Sequence, residues 1–388
     1  MGNKKIGVLI GGSGLIGGTI VNFYKTRYAE TIDIRAPSSK KLSIRDDKDI
    51  RQYLTDVNPD FVINAAMASL GADGQLAYEV NYLGPVNLAR AATALNIPYI
   101  HISSSATMPT GENLREEDTL PLSPNLGNYA KSKLMAELTL RRMAEQEGLD
   151  YTCIRLAIVY GAHDHKIQGF HRMFFSIADE AMPALFTKRH TFHSYSNARK
   201  LPFLIHHALA NRAEFSGRTY NFVDKNPVDL ATLILTIKSY LQLSLPKEVY
   251  VPYWMAKSGQ KGLNVLLRML RRIGLKANMP PELMFLDNFY KPQTLASKRL
   301  QESSFVDPMP NETIFTRLPD LLVYYLTRWS HENLIKTFKD CVEKEAALGH
   351  AFVHTPELLL ETVHSQGIGP FSDMKRQRNG SQEAAPMQ

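Results

Sequence analysis

Cysteine is nearly missing from this chain. Cys153 and Cys341 are the only two in 388 residues, too few for a disulfide framework or a four-cysteine zinc site. No run reaches the roughly 18 consecutive apolar residues of a membrane span. Met1-Gly-Asn-Lys-Lys leads into an apolar run too short for a signal peptide, and no small-residue cleavage site follows it. There is no internal repeat, and only Ser372–Gln388 is polar without periodicity, which predicts a disordered tail. These absences predict a cytoplasmic protein. What is present is globular in composition, 44% apolar and 21% charged. The length suits two domains, or one large domain with an added lobe.

Charge is unevenly spread. Residues 1–161 hold 17 basic and 17 acidic side chains, while residues 162–388 hold 28 and 21, so the whole formal excess of +7 lies in the second part. Such an excess suits an anionic substrate or an anionic membrane surface, or serves solubility. No nucleic-acid motif accompanies it, so no nucleic-acid partner is expected.

The first part alternates between two periodicities. Strands are expected at Lys5–Ile10, Thr31–Arg35, Phe61–Ala65, Tyr99–Ser103 and Tyr151–Val159. Helices are expected at Ile16–Tyr28, Ile44–Asn58, Asn128–Glu147 and, as one long element, Gln75–Leu95. Apolar strands separated by helices imply an α/β fold, a doubly wound parallel sheet with right-handed crossovers. Residues 1–165 are expected to form this domain, with 200–225 returning to it. Residues 166–199 and 226–371 then form a smaller, mostly helical substrate lobe, including helices at Glu332–Leu348 and Pro356–Val363.

The first strand ends in Gly11-Gly-Ser-Gly-Leu-Ile-Gly17. Glycines at 11, 14 and 17 permit a tight turn, close approach of a pyrophosphate to the backbone, and a helix starting near the strand. Gly11, Ser13, Gly14, Leu15, Ile16 and Gly17 are therefore the expected dinucleotide cradle of a Rossmann-type fold. At the tip of the second strand, Asp33 would accept from a ribose 2′-hydroxyl, as for NAD(H). Arg35 would pair with a 2′-phosphate. Ser38, Ser39, Lys40 and Lys41 follow closely, which favours NADP(H), with NAD(H) the alternative.

His101-Ile-Ser-Ser-Ser-Ala-Thr107 lies at the strand edge where open α/β sheets bind ligands. Downstream, Tyr129 and Lys133 stand four residues apart on one helical face. A free tyrosine, with pKa near 10, is a poor base at neutral pH. A neighbouring ammonium and an oxidised nicotinamide ring would favour its phenolate. Ser105 can then hydrogen-bond the same substrate oxygen. Ser105, Tyr129 and Lys133 are the candidate catalytic residues, and Ser105, Thr107 and His163 the candidate substrate contacts.

With these pieces in order, the sequence resembles the extended short-chain dehydrogenases/reductases, the family of nucleotide-sugar epimerases, dehydratases and reductases. The matching segments are Gly11–Gly17, Asn64-Ala-Ala66, Val80-Asn-Tyr-Leu-Gly84, Ser103–Thr107, Tyr129-x-x-x-Lys133, Arg155–Gly161 and Gly217–Phe222. The resemblance implies Tyr129 as acid/base, Lys133 lowering its pKa and holding the ribose, and Ser105 orienting the substrate oxygen. It places Ala65, Ala66 and Ser103 beside the cofactor and Asn81 as a support near the nicotinamide, and it implies a homodimer through Gln75–Leu95 and Asn128–Glu147. The link Arg35–Asp46 is similar to that of dTDP-dehydrorhamnose reductases and GDP-fucose synthases, which commonly use NADPH.

Departures narrow the reading. Ala106 and Thr107 stand where family dehydratases carry an acidic pair, which disfavours dehydration and leaves reduction, oxidation and epimerisation. Arg199–His207 lacks the family's usual nucleotide-sugar contacts, and the chain runs far beyond Asn221. Residues 262–274 place Leu263, Leu266, Leu267, Leu270 and Ile273 on one helical face and Arg268, Arg271 and Arg272 on the other. This reads as the lid of a substrate lobe, with a peripheral membrane contact as its rival. Similar insertions occur in the hydroxysteroid branch of the family, so a hydrophobic β-hydroxy or sterol-like alcohol is the second substrate class. A non-catalytic NAD(P)-binding scaffold is the third reading. Seven histidines fall between 163 and 207, but no carboxylate or cysteine set completes a tetrahedral site, and no metal is expected. His163, His165 and His171 read as substrate-loop residues, and Cys153 as a small core residue.

Overall fold

The structure is a computed structural model that describes residues 4–164, 169–178, 184–185, 190–272, 286–331 and 351–366. His165, Ile273, Cys341, the expected helix Glu332–Leu348 and the tail 372–388 lie outside the described residues.

The elements follow the alternation. They are β1 (Lys5–Ile10), α1 (Leu15–Arg27), β2 (Ile32–Arg35), α2 (Asp47–Val57), β3 (Phe61–Asn64), α3 (Gly74–Tyr78), α4 (Gly84–Leu95), β4 (Tyr99–Ser104) and β5 (Gly111–Leu114). Next come α5 (Asn128–Glu147), β6 (Tyr151–Leu156), β7 (Ile158–Tyr160), α6 (Gly169–Ala178), β8 (Ala184–Leu185), β9 (Phe192–His193) and β10 (Tyr195–Asn197). Then follow α7 (Leu201–Ala210), α8 (Arg212–Phe215), β11 (Arg218–Phe222), β12 (Val228–Asp229), α9 (Leu230–Tyr240), β13 (Lys247–Glu248) and α10 (Tyr253–Arg272). The last are α11 (Leu286–Tyr290), β14 (Gln293–Leu295), α12 (Lys298–Gln301), α13 (Ile314–His331) and α14 (Pro356–Gln366).

Six parallel strands form the main sheet in the order β11-β6-β4-β3-β1-β2. Alternation along β1 explains the two layers around it. Leu9 packs with Ile20, Tyr24 and Leu204 from α1 and α7, while Val8 and Ile10 pack with Leu54, Leu88 and Leu140 from α2, α4 and α5. Each fully buried aliphatic side chain contributes about 1.5–3 kcal/mol. A second sheet, β12-β9-β14-β5, carries the segment after β4.

Two expected elements are divided. The long helix Gln75–Leu95 is broken by a π turn at Glu79–Leu83. Pro85 follows directly; it has no N–H to give the carbonyl four residues back, and its ring crowds that carbonyl. The strand Tyr151–Val159 stops at Leu156, Ala157 N donates to Ser196 Oγ at 2.9 Å, and β7 leaves the main sheet to pair with β10. By packing, the chain divides into two compact units, residues 1–323 and 324–388. In the second, the rings of Tyr325 and Trp329 stack at 5.5 Å.

Candidate active site

The turn after β1 is shaped for close backbone approach. Gly11 has φ +86°, and a Cβ there would lie 2.7 Å from Ala66 N. A Cβ on Gly17 would lie 2.1 Å from Gly11 O, so only glycine lets α1 begin this near the loop. Ala65 N donates to Ile10 O at 2.9 Å, which sets Ala65 and Ala66 beside the turn. Ser13 and Gly14 form its exposed tip, with Leu15 and Ile16 half-buried behind. Gly14 precedes helix α1 and gives it no side-chain cap, and there is no acid in its first turn. Its first amides and the positive end of its dipole are left for an anion, so the cradle fits a dinucleotide pyrophosphate.

At the tip of β2 the two expected ribose residues bind each other. Arg35 Nε donates to Asp33 Oδ2 at 2.9 Å, with both side chains near half exposure, 42% and 48%. The bond uses Nε and leaves the outer guanidinium nitrogens for a phosphate.

The serine run closes β4 two strands away from β1, on the same carboxyl edge of the sheet. Half-buried Tyr129 has its phenol beside Ser104; burial pushes its pKa up, and the Ser104 hydroxyl pulls it back. The sequence pointed to Ser105 as a hydrogen-bond partner of the substrate oxygen. In the structure Ser105 Oγ donates to Gln293 Oε1 at 3.1 Å, while Gln293 Nε2 donates to the carbonyls of Ser105 (3.1 Å) and Pro109 (3.0 Å). Lys133 is buried, and its Nζ donates to Ile102 O at 2.9 Å. Burial brings its pKa down to about 8, against the opposing pull of Cys153 and Glu137.

Ser103 and Thr107 turn inward. Both meet Glu137, Thr107 Oγ1 at 3.2 Å. Arg155 grips the same carboxylate through Nε at 3.0 Å and a terminal nitrogen at 2.6 Å, and donates to Glu116 O at 2.7 Å. Alternation along β4 aims Ser103 at this buried cluster and Ser104 away from it. Asn81, in the π turn, accepts from Ala68 N at 2.8 Å and donates to Ser132 Oγ at 3.3 Å, and Ser132 in turn donates to Tyr129 O at 3.1 Å. It braces the loop after β3 against the start of α5. His163, exposed with φ +70°, lines a cavity of about 590 Å³ with Thr19, Tyr160 and Arg199. Among the described residues, no three His, Cys, Asp or Glu are grouped to hold a metal, and no helix is long and apolar enough to cross a membrane.

Residues 8–214 match the NAD dependent epimerase/dehydratase family. The chain belongs to this family. Its relatives include the Bacillus subtilis spore coat polysaccharide biosynthesis protein SpsK, 32% identical over 139 residues, 33% of this chain and 45% of that one. The Candida albicans decarboxylating sterol-4-alpha-carboxylate 3-dehydrogenase is 24% identical over 183 residues, 41% of this chain and 52% of that one. The matches thus span about half the length of each relative. In fold, the chain is similar to Bacillus anthracis dTDP-4-dehydrorhamnose reductase in complex with NADP. There the TM-score is 0.56 and the identity 17%, covering 78% of this chain and 94% of the other. Other structures of this fold contain NAD.

The epimerase/dehydratase segment contains Tyr129, Lys133 and the serine run, whereas Gln293 lies outside it. Sequence reasoning passed over Gln293, Glu137 and Ser104. Glu137 had a signal, since it stands four residues after Lys133 on the same helical face. Gln293 had none, because β14 meets β5 only through the fold.

Proposed function

We propose that the protein is an NADP(H)-dependent oxidoreductase or epimerase acting at a secondary alcohol or ketone carbon of a nucleotide-linked sugar, with Tyr129 as its acid/base. The observation that carries this reading is the Tyr129 phenol beside the Ser104 hydroxyl, with Lys133 one helical turn further along α5, at the sheet edge shared with the glycine loop. Gly11–Gly17 would hold the pyrophosphate, and Arg35, with Lys40 and Lys41, the 2′-phosphate. The nicotinamide, when bound, supplies or accepts hydride. Tyr129 gives its proton to the forming alkoxide, or takes it in the reverse direction. Ser104 hydrogen-bonds the phenol, and the Lys133 cation favours its ionised form.

The likeness to the sterol dehydrogenase and the long chain beyond residue 214 favour a hydrophobic alcohol as the second reading. Titration with NADPH and NADH, followed by nicotinamide fluorescence, tests the cofactor; tighter NADH would move the ribose contact to Asp33. With dTDP-4-dehydrorhamnose and a 3-hydroxysteroid as trial substrates, Tyr129→Phe should keep NADPH binding and lose about 100-fold or more in turnover. Near-wild-type turnover would sink the mechanism.

A further inference from the structure

Helix α10 has three distinct sides. Leu267 is buried and Leu263 half-buried against the fold, and Lys257 pairs with Asp287 of α11 at 2.8 Å. The expected lid would bury its apolar face whole. Instead, a second apolar arc faces outward: Trp254 is 69% exposed, Met269 58% and Leu266 51%, with Met255 and Val265 also exposed. Helical spacing aligns Trp254, Val265 and Met269 in one row and Met255 and Leu266 in the next, with only Ser258, Gly259 and Gly262 between them. Along one border of this arc the same spacing sets Lys257 and exposed Lys261. The 20 residues of α10 hold five basic side chains and no acidic one. Exposed Tyr250 and Val249 lead into the helix.

We propose that this arc seats the protein on an anionic bilayer, with α10 lying in the interfacial plane. Apolar side chains enter the acyl boundary, Trp254 sits at headgroup level, and the basic border meets lipid phosphates. Charge decides between this occupant and a second copy of the chain. A twofold contact would bring one cationic helix against another with no acid on the helix to offset it, whereas an anionic surface complements its sequence of five basic and no acidic residues.

Purified full-length protein is sedimented with vesicles of phosphatidylcholine and phosphatidylglycerol at about three to one, and with pure phosphatidylcholine. Binding is expected to the anionic vesicles, weakening as salt rises. Lys261→Gln should reduce it about fivefold. Trp254→Ala should reduce it by roughly tenfold and abolish a blue shift of tryptophan emission on vesicle addition. Both side chains are exposed, so thermal midpoints should match the wild type. Failure to bind anionic vesicles overturns the proposal, as does binding that neither substitution changes. Lipid-independent self-association abolished by Trp254→Ala also overturns it, in favour of a second copy.

Discussion

The main sheet carries two arginine–carboxylate pairs of opposite character. Arg35 and Asp33 meet at the open end of β2, an edge strand, each near half exposed. Arg155 and Glu137 meet between β6 and α5 with side chains only 4% and 7% exposed, and Ser103, Thr107 and the Glu116 carbonyl satisfy what remains. The chemistry is the same and the consequence is not. In water, an ion pair is worth little and its members are available to a ligand. Out of water, the same pair becomes a structural fixture whose members cannot be separated without leaving a bare charge.

Breaking the inner pair should have the largest effect. Glu137→Ala leaves the Arg155 guanidinium buried without its carboxylate and should cost about 3–5 kcal/mol in urea unfolding. Replacing both at once, Glu137→Leu with Arg155→Met, should recover most of that loss, since an apolar pair avoids desolvating either charge. If the double variant is no better than the single one, the cluster matters for more than charge compensation.

Asp224 is an intermediate case. It is buried, accepts from Tyr160 at 2.7 Å and lies 3.7 Å from Lys200, whose nearer carboxylate is Asp307 at 3.0 Å. Burial outweighs these contacts and lifts its pKa from 3.8 to about 6. A carboxyl with a raised folded pKa binds its proton more tightly in the native state. Its contribution should therefore fall as pH rises from about 4 to 6 and stay flat above. Asp224→Asn should remove that slope from a pH series of unfolding midpoints, and an unchanged slope would assign it to other groups.

The outer pair should give the smallest change in stability. Arg35→Ala is expected to shift unfolding by less than about 0.5 kcal/mol while weakening NADPH, but not NADH, by about tenfold. Equal weakening of both cofactors would show that Arg35 contacts something other than the 2′-phosphate.

Much of the nucleotide-binding half was legible because its signals are local. Strand–glycine–helix order located the cradle, and i, i+4 spacing placed Tyr129 and Lys133 on one face of α5. Orientation within the serine run was not legible. Three consecutive serines look alike in sequence, yet the pleat sends Ser103 to Glu137 and leaves Ser104 for Tyr129, while the turn after β4 hands Ser105 to Gln293. The break in the long helix was readable from Pro85, whose missing N–H forbids a regular turn there. On α10, periodicity found the basic and apolar sides but could not say which apolar residues the fold would cover. That is decided by the packing of Leu263 and Leu267, leaving Leu266 outside.

The pairing of β14 with β5, and of Gln293 with Ser105 across 188 positions, sets an order of events during synthesis. When β11 has been made, every strand of the main sheet exists, yet the loop after the serine run still lacks its neighbour. About 70 further residues must emerge, several seconds at roughly 5–20 residues per second. A chain interrupted before β14 thus has every strand of the main sheet but lacks Gln293, the partner of Ser105.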